Sequence, residues 1–173
     1  MPFYHHSIRL SPENYRGRRL YFVTVCTHLR LPVFADQTNG DWVLRHLVDS
    51  AARNNFSLHA FCVMPDHLHF LTEGTTDDSD LIRFANAFKQ QTAFEYRKRC
   101  PNILWQKRFH DYILRRADAI ESVAAYIWMN PVRKNLCVNA KEYSLSGSQT
   151  IEWINATAAQ GQWRPPWRNG TPG

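Results

Sequence analysis

The sequence predicts an α+β domain of the split β-α-β-β-α-β, ferredoxin-like kind, with an antiparallel sheet and one further helix after it. Three observations predict it. Runs rich in β-branched and aromatic residues recur four times. Between the first and second runs, and between the third and fourth, apolar residues return with the period of a helix. The second and third runs are separated only by Pro65-Asp66, which suits a hairpin.

Taken in order, Leu20 to Thr27 reads as the first strand, because Val23, Thr24 and Val25 favour extended backbone. Trp42, Leu44, Leu47, Val48 and Ala51 then share a helical spacing, with Asp41 as N-cap and Asn54-Asn55 as the stop. Phe56 to Met64 and His67 to Thr72 form the hairpin. The polar stretch Gly74 to Asp80 leads into a helix over Leu81 to Arg99, whose Leu81, Phe84, Ala85, Phe88, Thr92 and Tyr96 lie near one face; Pro101 stops it. Phe109 to Arg115 reads as the fourth strand. Asp118 opens a last helix carrying Ile120, Val123, Ala124 and Ile127, which ends before Pro131. Residues 1–149 therefore read as one domain. Residues 150–173, rich in Gly, Pro, Trp and Arg, read as an extended or partly disordered arm; Trp163, Trp167 and Arg168 suggest that it folds back onto this chain or onto DNA.

Composition narrows the partners. The chain has 173 residues and a formal net charge of +6, a balance that suits a polyanion without requiring one. Basic residues cluster as Arg16, Arg18 and Arg19, as Arg97 to Arg99, as Lys107 and Arg108 after Trp105, and as Arg115 and Arg116. A surface that grips phosphates and stacks bases has this make-up, and so does a solvated rim. No apolar run is long enough to span a membrane, and the polar start through Leu10 lacks a signal-peptide core, so a cytoplasmic protein is expected. Cys26, Cys62, Cys100 and Cys137 are too scattered for a zinc knuckle or a CxxC redox pair.

One short motif carries chemistry. On a strand, His67 and His69 project from the same face while Leu68 points to the other. Two imidazoles so placed are half of a metal site, or simply a hydrogen-bonded pair of surface histidines. His59, on the neighbouring strand, is expected to be structural or to support that pair from behind. Tyr126 and Asn130 stand four residues apart on the last helix and share a face. A carboxamide oxygen is a hard ligand suited to Mg2+ or Mn2+, and a phenol one turn away from such an ion is placed for phosphodiester transfer.

Met64-Pro-Asp-His-Leu-His-Phe70 resembles the HUH motif (histidine, hydrophobic residue, histidine) of the single-tyrosine transposases. Ala125-Tyr-Ile-Trp-Met-Asn-Pro-Val-Arg133 resembles the tyrosine helix of their REP-associated branch, whose members process short palindromic DNA hairpins. Trp105 to Arg115 and Tyr21 to Thr27 are similar to further segments of that branch, so the resemblance runs from about Leu20 to Ser146. It implies His67 and His69 as ligands of a divalent Mg2+ or Mn2+, Tyr126 as nucleophile, and Asn130 as third ligand where insertion-sequence relatives carry Gln. The implied activity is cutting and rejoining of single-stranded or hairpin DNA through a 5′-phosphotyrosine. Trp105, Lys107, Arg108, Arg115 and Arg133 are the expected DNA contacts, with Trp105 open to base stacking or to core packing. Monomer and homodimer remain open, as does the source of the tyrosine. The competing readings are a non-catalytic nucleic-acid-binding module and a metal-dependent small-molecule enzyme using Asp66 with the histidines. Asp66 is expected to face away from them, and the sheet lacks the aromatic strand motif of RNA-recognition domains.

Overall fold

The computed structural model describes residues 10–115, 118–152 and 163–166. The chain runs through β1 (Leu20–Cys26), α1 (Gln37–Arg53), β2 (Phe56–Met64), β3 (His67–Gly74), α2 (Leu81–Arg99), β4 (His110–Ile113), α3 (Ile120–Trp128), α4 (Asn130–Arg133) and β5 (Ser146–Gly147). The strands form one sheet in the order β4-β1-β3-β2-β5, and every pairing is antiparallel. The first four strands are the expected split arrangement; β5, which extends the β2 edge, has no counterpart in the sequence reading.

Period-two alternation gives the sheet two faces. Val23, Val25, Leu68 and Phe70 join Val43 and Leu47 of α1 and Phe84 and Phe88 of α2 in one core. Phe22, Ala60, Cys62, Met64 and Leu71 face the other way and are covered by Val123 to Trp128 of α3. A bulge between Leu58 and Ala60 shifts the register of β2 against β3. Leu58 and Phe61 consequently share the first core although they are three apart in sequence. Six consecutive residues of α3 are buried, which no solvent-facing helix sustains. The tyrosine-bearing helix therefore lies across the sheet from α1 and α2.

Several boundaries differ from the sequence reading; β1 stops at Cys26 and β3 runs on to Gly74. Helix α1 begins at Gln37 because Asp36, not Asp41, accepts the Asn39 amide hydrogen at 3.2 Å. Strand β4 is only four residues long. Ala119, rather than Asp118, precedes α3; the Asp118 carboxylate instead takes the Arg115 amide at 2.7 Å and the Tyr112 hydroxyl at 3.0 Å. Pro131 does not end the helical path. Met129 keeps helical backbone angles, and α4 follows directly. Proline lacks an N–H, so Ile127 loses its donor four residues on; Asn130 Nδ2 replaces that donor at 3.2 Å.

Of the C-terminal arm, Trp163 lies against the second core and donates its indole hydrogen to Asp118 at 3.0 Å. Trp167 and Arg168 lie outside the described residues. No helix among the described residues is long and apolar enough to cross a membrane.

Candidate active site

The site forms where β3 leaves the hairpin, on the α3 face of the sheet. His67 and His69 are both buried, 6% and 5% exposed. Their Nε2 atoms face each other at 3.0 Å, with the rings nearly perpendicular at 79°. Each Nδ1 is occupied from behind: that of His67 by Asp66 Oδ1 at 2.6 Å, that of His69 by Thr24 Oγ1 at 2.7 Å. A carboxylate only accepts, so His67 carries a hydrogen on Nδ1, and in the neutral ring the lone pair is then on Nε2. The hydroxyl of Thr24 can donate or accept. When it accepts from His69 Nδ1–H, a second lone pair points at the same spot; when it donates, His69 Nε2–H bonds to His67 instead.

Two imidazole nitrogens 3.0 Å apart suit one cation, since neighbouring ligands of an octahedral ion with bonds of about 2.1 Å lie about 3 Å from each other. Among the described residues no group of three or more His, Cys, Asp or Glu side chains converges in this way. Two imidazoles would leave most positions of a divalent cation to be filled from water or phosphate.

Asp66 corrects the sequence reading. It belongs to the hairpin turn rather than to a strand, so alternation does not govern its direction, and its carboxylate bends back to His67. Its other oxygen meets Arg30 Nε at 2.9 Å. Arg30 also donates to Cys26 Sγ at 2.8 Å. It occupies left-handed backbone with φ 56°, directly after Leu29 at φ 51°, a conformation costing a non-glycine residue ~1–2 kcal/mol. Thr27 braces the turn by donating to Leu31 O and Asp66 O, each at 2.8 Å. Thr24, Thr27 and Arg30 carry no signal in a one-dimensional reading; Thr24 becomes visible once β1 and β3 are aligned with Thr24 opposite His69. His59 is structural: it bonds Thr150 at 2.6 Å and Glu73 at 2.8 Å, Glu73 standing at the far end of β3.

Tyr126 reaches the histidines from α3 of the same chain. Its ring centroid lies 6.4 Å from that of His69 and 5.9 Å from Phe22. Tyr126 is 8% exposed, and its buried hydroxyl has no hydrogen-bond partner among the described residues. Trp163 meets the ring edge-on at 5.3 Å, and the Arg133 guanidinium sits over it at 4.4 Å. A cavity of about 150 Å³ opens beside them, lined by Tyr126, Met129, Arg133, Trp163 and Arg164. Asn130 is buried and donates Nδ2 to Tyr126 O at 3.0 Å as well as to Ile127 O. Only its Oδ1 is left as a ligating atom. Arg133 bonds the Tyr126 carbonyl too, at 2.6 Å.

Among the expected DNA contacts, Trp105 takes the core-packing alternative. It is 5% exposed, its indole donates to Thr92 at 2.8 Å, and its ring lies between Phe34 and Phe88. Base stacking would require it to leave the core. Lys107, Arg108 and Arg115 are exposed. The Gln106 amide bonds Cys26 O at 2.9 Å, and Cys26 is the register partner of His67, so Lys107 and Arg108 lie toward the histidine end of the sheet. Two arginines before β1 are already paired, Arg16 with Asp80 and Arg18 with Asp77.

The model of the IS200-like transposases matches residues 18–130, a span that runs from before β1 to Asn130 and includes both histidines and Tyr126. The chain belongs to that family. A Haemophilus influenzae protein described as a REP-associated tyrosine transposase is 28% identical over 103 residues, 53% of this chain and 58% of that protein. The Escherichia coli REP-associated tyrosine transposase is 27% identical over 120 residues, 64% of this chain and 71% of its own. The chain thus spans less than two thirds of the first of these transposases. Its fold resembles a REP-associated tyrosine transposase solved with a REP hairpin, at TM-score 0.64 and 22% identity, over 76% of this chain and 78% of that one. It also resembles a Deinococcus radiodurans protein described as a transposase, at TM-score 0.50 and 22% identity, over 70% of this chain and 88% of that one.

Proposed function

We propose that this transposase-family chain is a divalent-metal-dependent endonuclease and strand transferase acting on single-stranded or hairpin DNA, with Tyr126 as nucleophile. The observation that carries the reading is the juxtaposition of three side chains from one chain. The Nε2 atoms of His67 and His69 converge at 3.0 Å, and the ring of Tyr126 packs against His69 with its hydroxyl unpartnered among the described residues.

His67 and His69 would hold Mg2+ or Mn2+, with Asn130 Oδ1 as a third donor. When bound, the cation draws charge from a non-bridging phosphate oxygen and orients the phosphate. The phenol oxygen of Tyr126 forms a bond to phosphorus, the bond from phosphorus to the 3′ oxygen breaks, and that oxygen leaves as a 3′-hydroxyl after taking a proton. The product is a 5′-phosphotyrosine. Attack by another 3′-hydroxyl reverses the step and joins strands without an external energy source, because one phosphodiester is exchanged for another. A free phenol titrates near 10, so its proton must pass to a base as the bond forms. Arg133 and Arg164 line the cavity beside the tyrosine, where they would meet the phosphates flanking the scissile one. Lys107, Arg108 and Arg115 would extend that grip along the strand.

The experiment is incubation of end-labelled hairpin oligonucleotides bearing single-stranded flanks with the full chain, followed by a denaturing gel. A covalent adduct that forms with Mg2+ or Mn2+, disappears with a chelator, and is absent from Tyr126→Phe and from His67→Ala/His69→Ala is the expected result. Nicking that persists in the double histidine variant would remove the metal site, and an adduct that persists in Tyr126→Phe would remove the nucleophile.

A further inference from the structure

A line of side chains leads from the surface to His67. The Arg30 Nε meets Asp66 Oδ2 at 2.9 Å, Asp66 Oδ1 meets His67 Nδ1 at 2.6 Å, and His67 Nε2 faces His69 Nε2 at 3.0 Å. Each of the two Asp66 oxygens has its own partner, so the carboxylate cannot turn away from the imidazole without breaking its tie to Arg30. The backbone is bent to make that tie. Leu29 and Arg30 are consecutive left-handed non-glycine residues, and the turn around them is closed by Thr27 Oγ1 on Leu31 O and Asp66 O. Leu29 itself is 74% exposed and contributes nothing to a core. The unfavourable backbone is therefore matched by where it sends the Arg30 side chain.

We propose that Arg30 is a positioning residue for the metal-binding pair: through Asp66 it holds His67 in the Nδ1–H tautomer, with the Nε2 lone pair turned toward His69. The inference rests on the metal reading given above, and it extends that reading to a residue 37 positions away in sequence. The chemistry is general. A histidine whose rear nitrogen donates to an anchored carboxylate keeps its forward nitrogen free and its ring oriented, and loss of such an anchor weakens metal binding about 10–100-fold. Arg30 is half-exposed at 47% and Asp66 is 28% exposed, so solvent screens the pair and the lower end of that range is expected.

Two measurements on the full chain without DNA test it. The first is Mn2+ binding, read from the paramagnetic resonance signal of the free ion. Arg30→Ala and Asp66→Asn should each weaken binding about tenfold. Arg30→Lys should restore most of the affinity, since an ammonium can still hold the carboxylate. Arg30→Ala should have no further effect in the Asp66→Asn background, because it acts through that carboxylate. Additive losses in the double variant would mark a loosened loop and overturn the proposal. So would an Arg30→Ala protein that binds Mn2+ like wild type but binds single-stranded DNA more weakly; Arg30 would then be a phosphate ligand. The second measurement is the 15N shift pattern of the His67 ring in metal-free protein, under conditions where the ring is neutral. It should move from Nδ1–H toward Nε2–H in Arg30→Ala, and an unchanged tautomer would overturn the proposal. Equal Mn2+ binding by wild type and His67→Ala would instead sink the metal reading itself, while the tautomer measurement still decides the role of Arg30.

Discussion

The hydroxyl of Tyr112 donates to the Asp118 carboxylate at 3.0 Å. That bond, together with burial, raises the Tyr112 phenol above its ordinary pKa, burial contributing more. Tyr126, by contrast, has no partner for its hydroxyl among the described residues, and its ring lies beside His69. Two tyrosines thus face the same side of the sheet with opposite commitments. Tyr112→Phe is expected to form the covalent DNA adduct at close to the wild-type level. Its cost should be about 1 kcal/mol of stability for the missing hydrogen bond. Tyr126→Phe is expected to fold and bind DNA and form none. An adduct that vanishes in Tyr112→Phe and survives in Tyr126→Phe reverses the assignment.

Asn130 has a structural task whatever it does for a metal. Its Nδ2 serves two carbonyls at the break before Pro131. Asn130→Ala should lose ~1–3 kcal/mol in denaturant unfolding, the cost of taking the side-chain donor from the Ile127 carbonyl, since Arg133 still serves Tyr126 O. If Oδ1 is also a ligand, Mn2+ affinity falls as well, though by less than in His67→Ala. An unchanged metal titration removes Asn130 from the ligand set and leaves it the helix role alone.

Trp105 should matter for stability and not for DNA. Trp105→Ala opens a cavity between Phe34 and Phe88 and removes the hydrogen bond that the Thr92 hydroxyl accepts, while its own bond to Phe88 O remains; a loss of ~3–5 kcal/mol is expected. Trp105→Phe keeps most of the volume, and its affinity for single-stranded DNA should match wild type within about twofold. A drop near the value of one base stack, about 1–3 kcal/mol, would restore Trp105 as a DNA-binding residue.

The exposed cations predict a salt signature. Replacing Lys107 and Arg108 together by alanine should lower the slope of log affinity against log salt by about 0.7 for each phosphate of single-stranded DNA that the two side chains neutralise. A slope equal to wild type would show that the two residues form a solvated rim.

Burial also sets an alkaline limit. Tyr143 donates to Val63 O at 2.9 Å, and Tyr21 is fully buried; burial pushes both phenols up to about 12. The folded state therefore favours the neutral phenol more than the unfolded state does. That preference is fully present below pH 10 and is lost as pH rises from about 10 to about 12. Urea midpoints should hold steady up to about pH 9 and fall by about pH 11, and Tyr143→Phe should shrink the fall. Equal falls in both proteins would exclude Tyr143 as a contributor.

Much of this molecule is written in local spacing. Strand alternation alone puts His67 and His69 on one face, because successive side chains on extended backbone must point to opposite sides. The bounds of β2 and α2 follow from residue types and periodicity in the same way, and the four-residue step from Tyr126 to Asn130 sets them on one side of a helix. What periodicity cannot reach is any relation between elements. The register of β1 against β3 brings Thr24 to His69, and the turn at Pro65-Asp66 swings a carboxylate onto His67 that alternation would have sent away. Two left-handed residues carry Arg30 to that carboxylate. Trp105 looks like a surface aromatic among basic neighbours until α2 supplies Thr92 and Phe88 to enclose it. Helix α3 is apolar enough to cover either side of the sheet; it covers the histidine face because α1 and α2 already occupy the other. Local sequence determined which side chains share a face, since that depends only on backbone repeat; tertiary structure decided which faces meet, since that depends on packing between residues far apart along the chain.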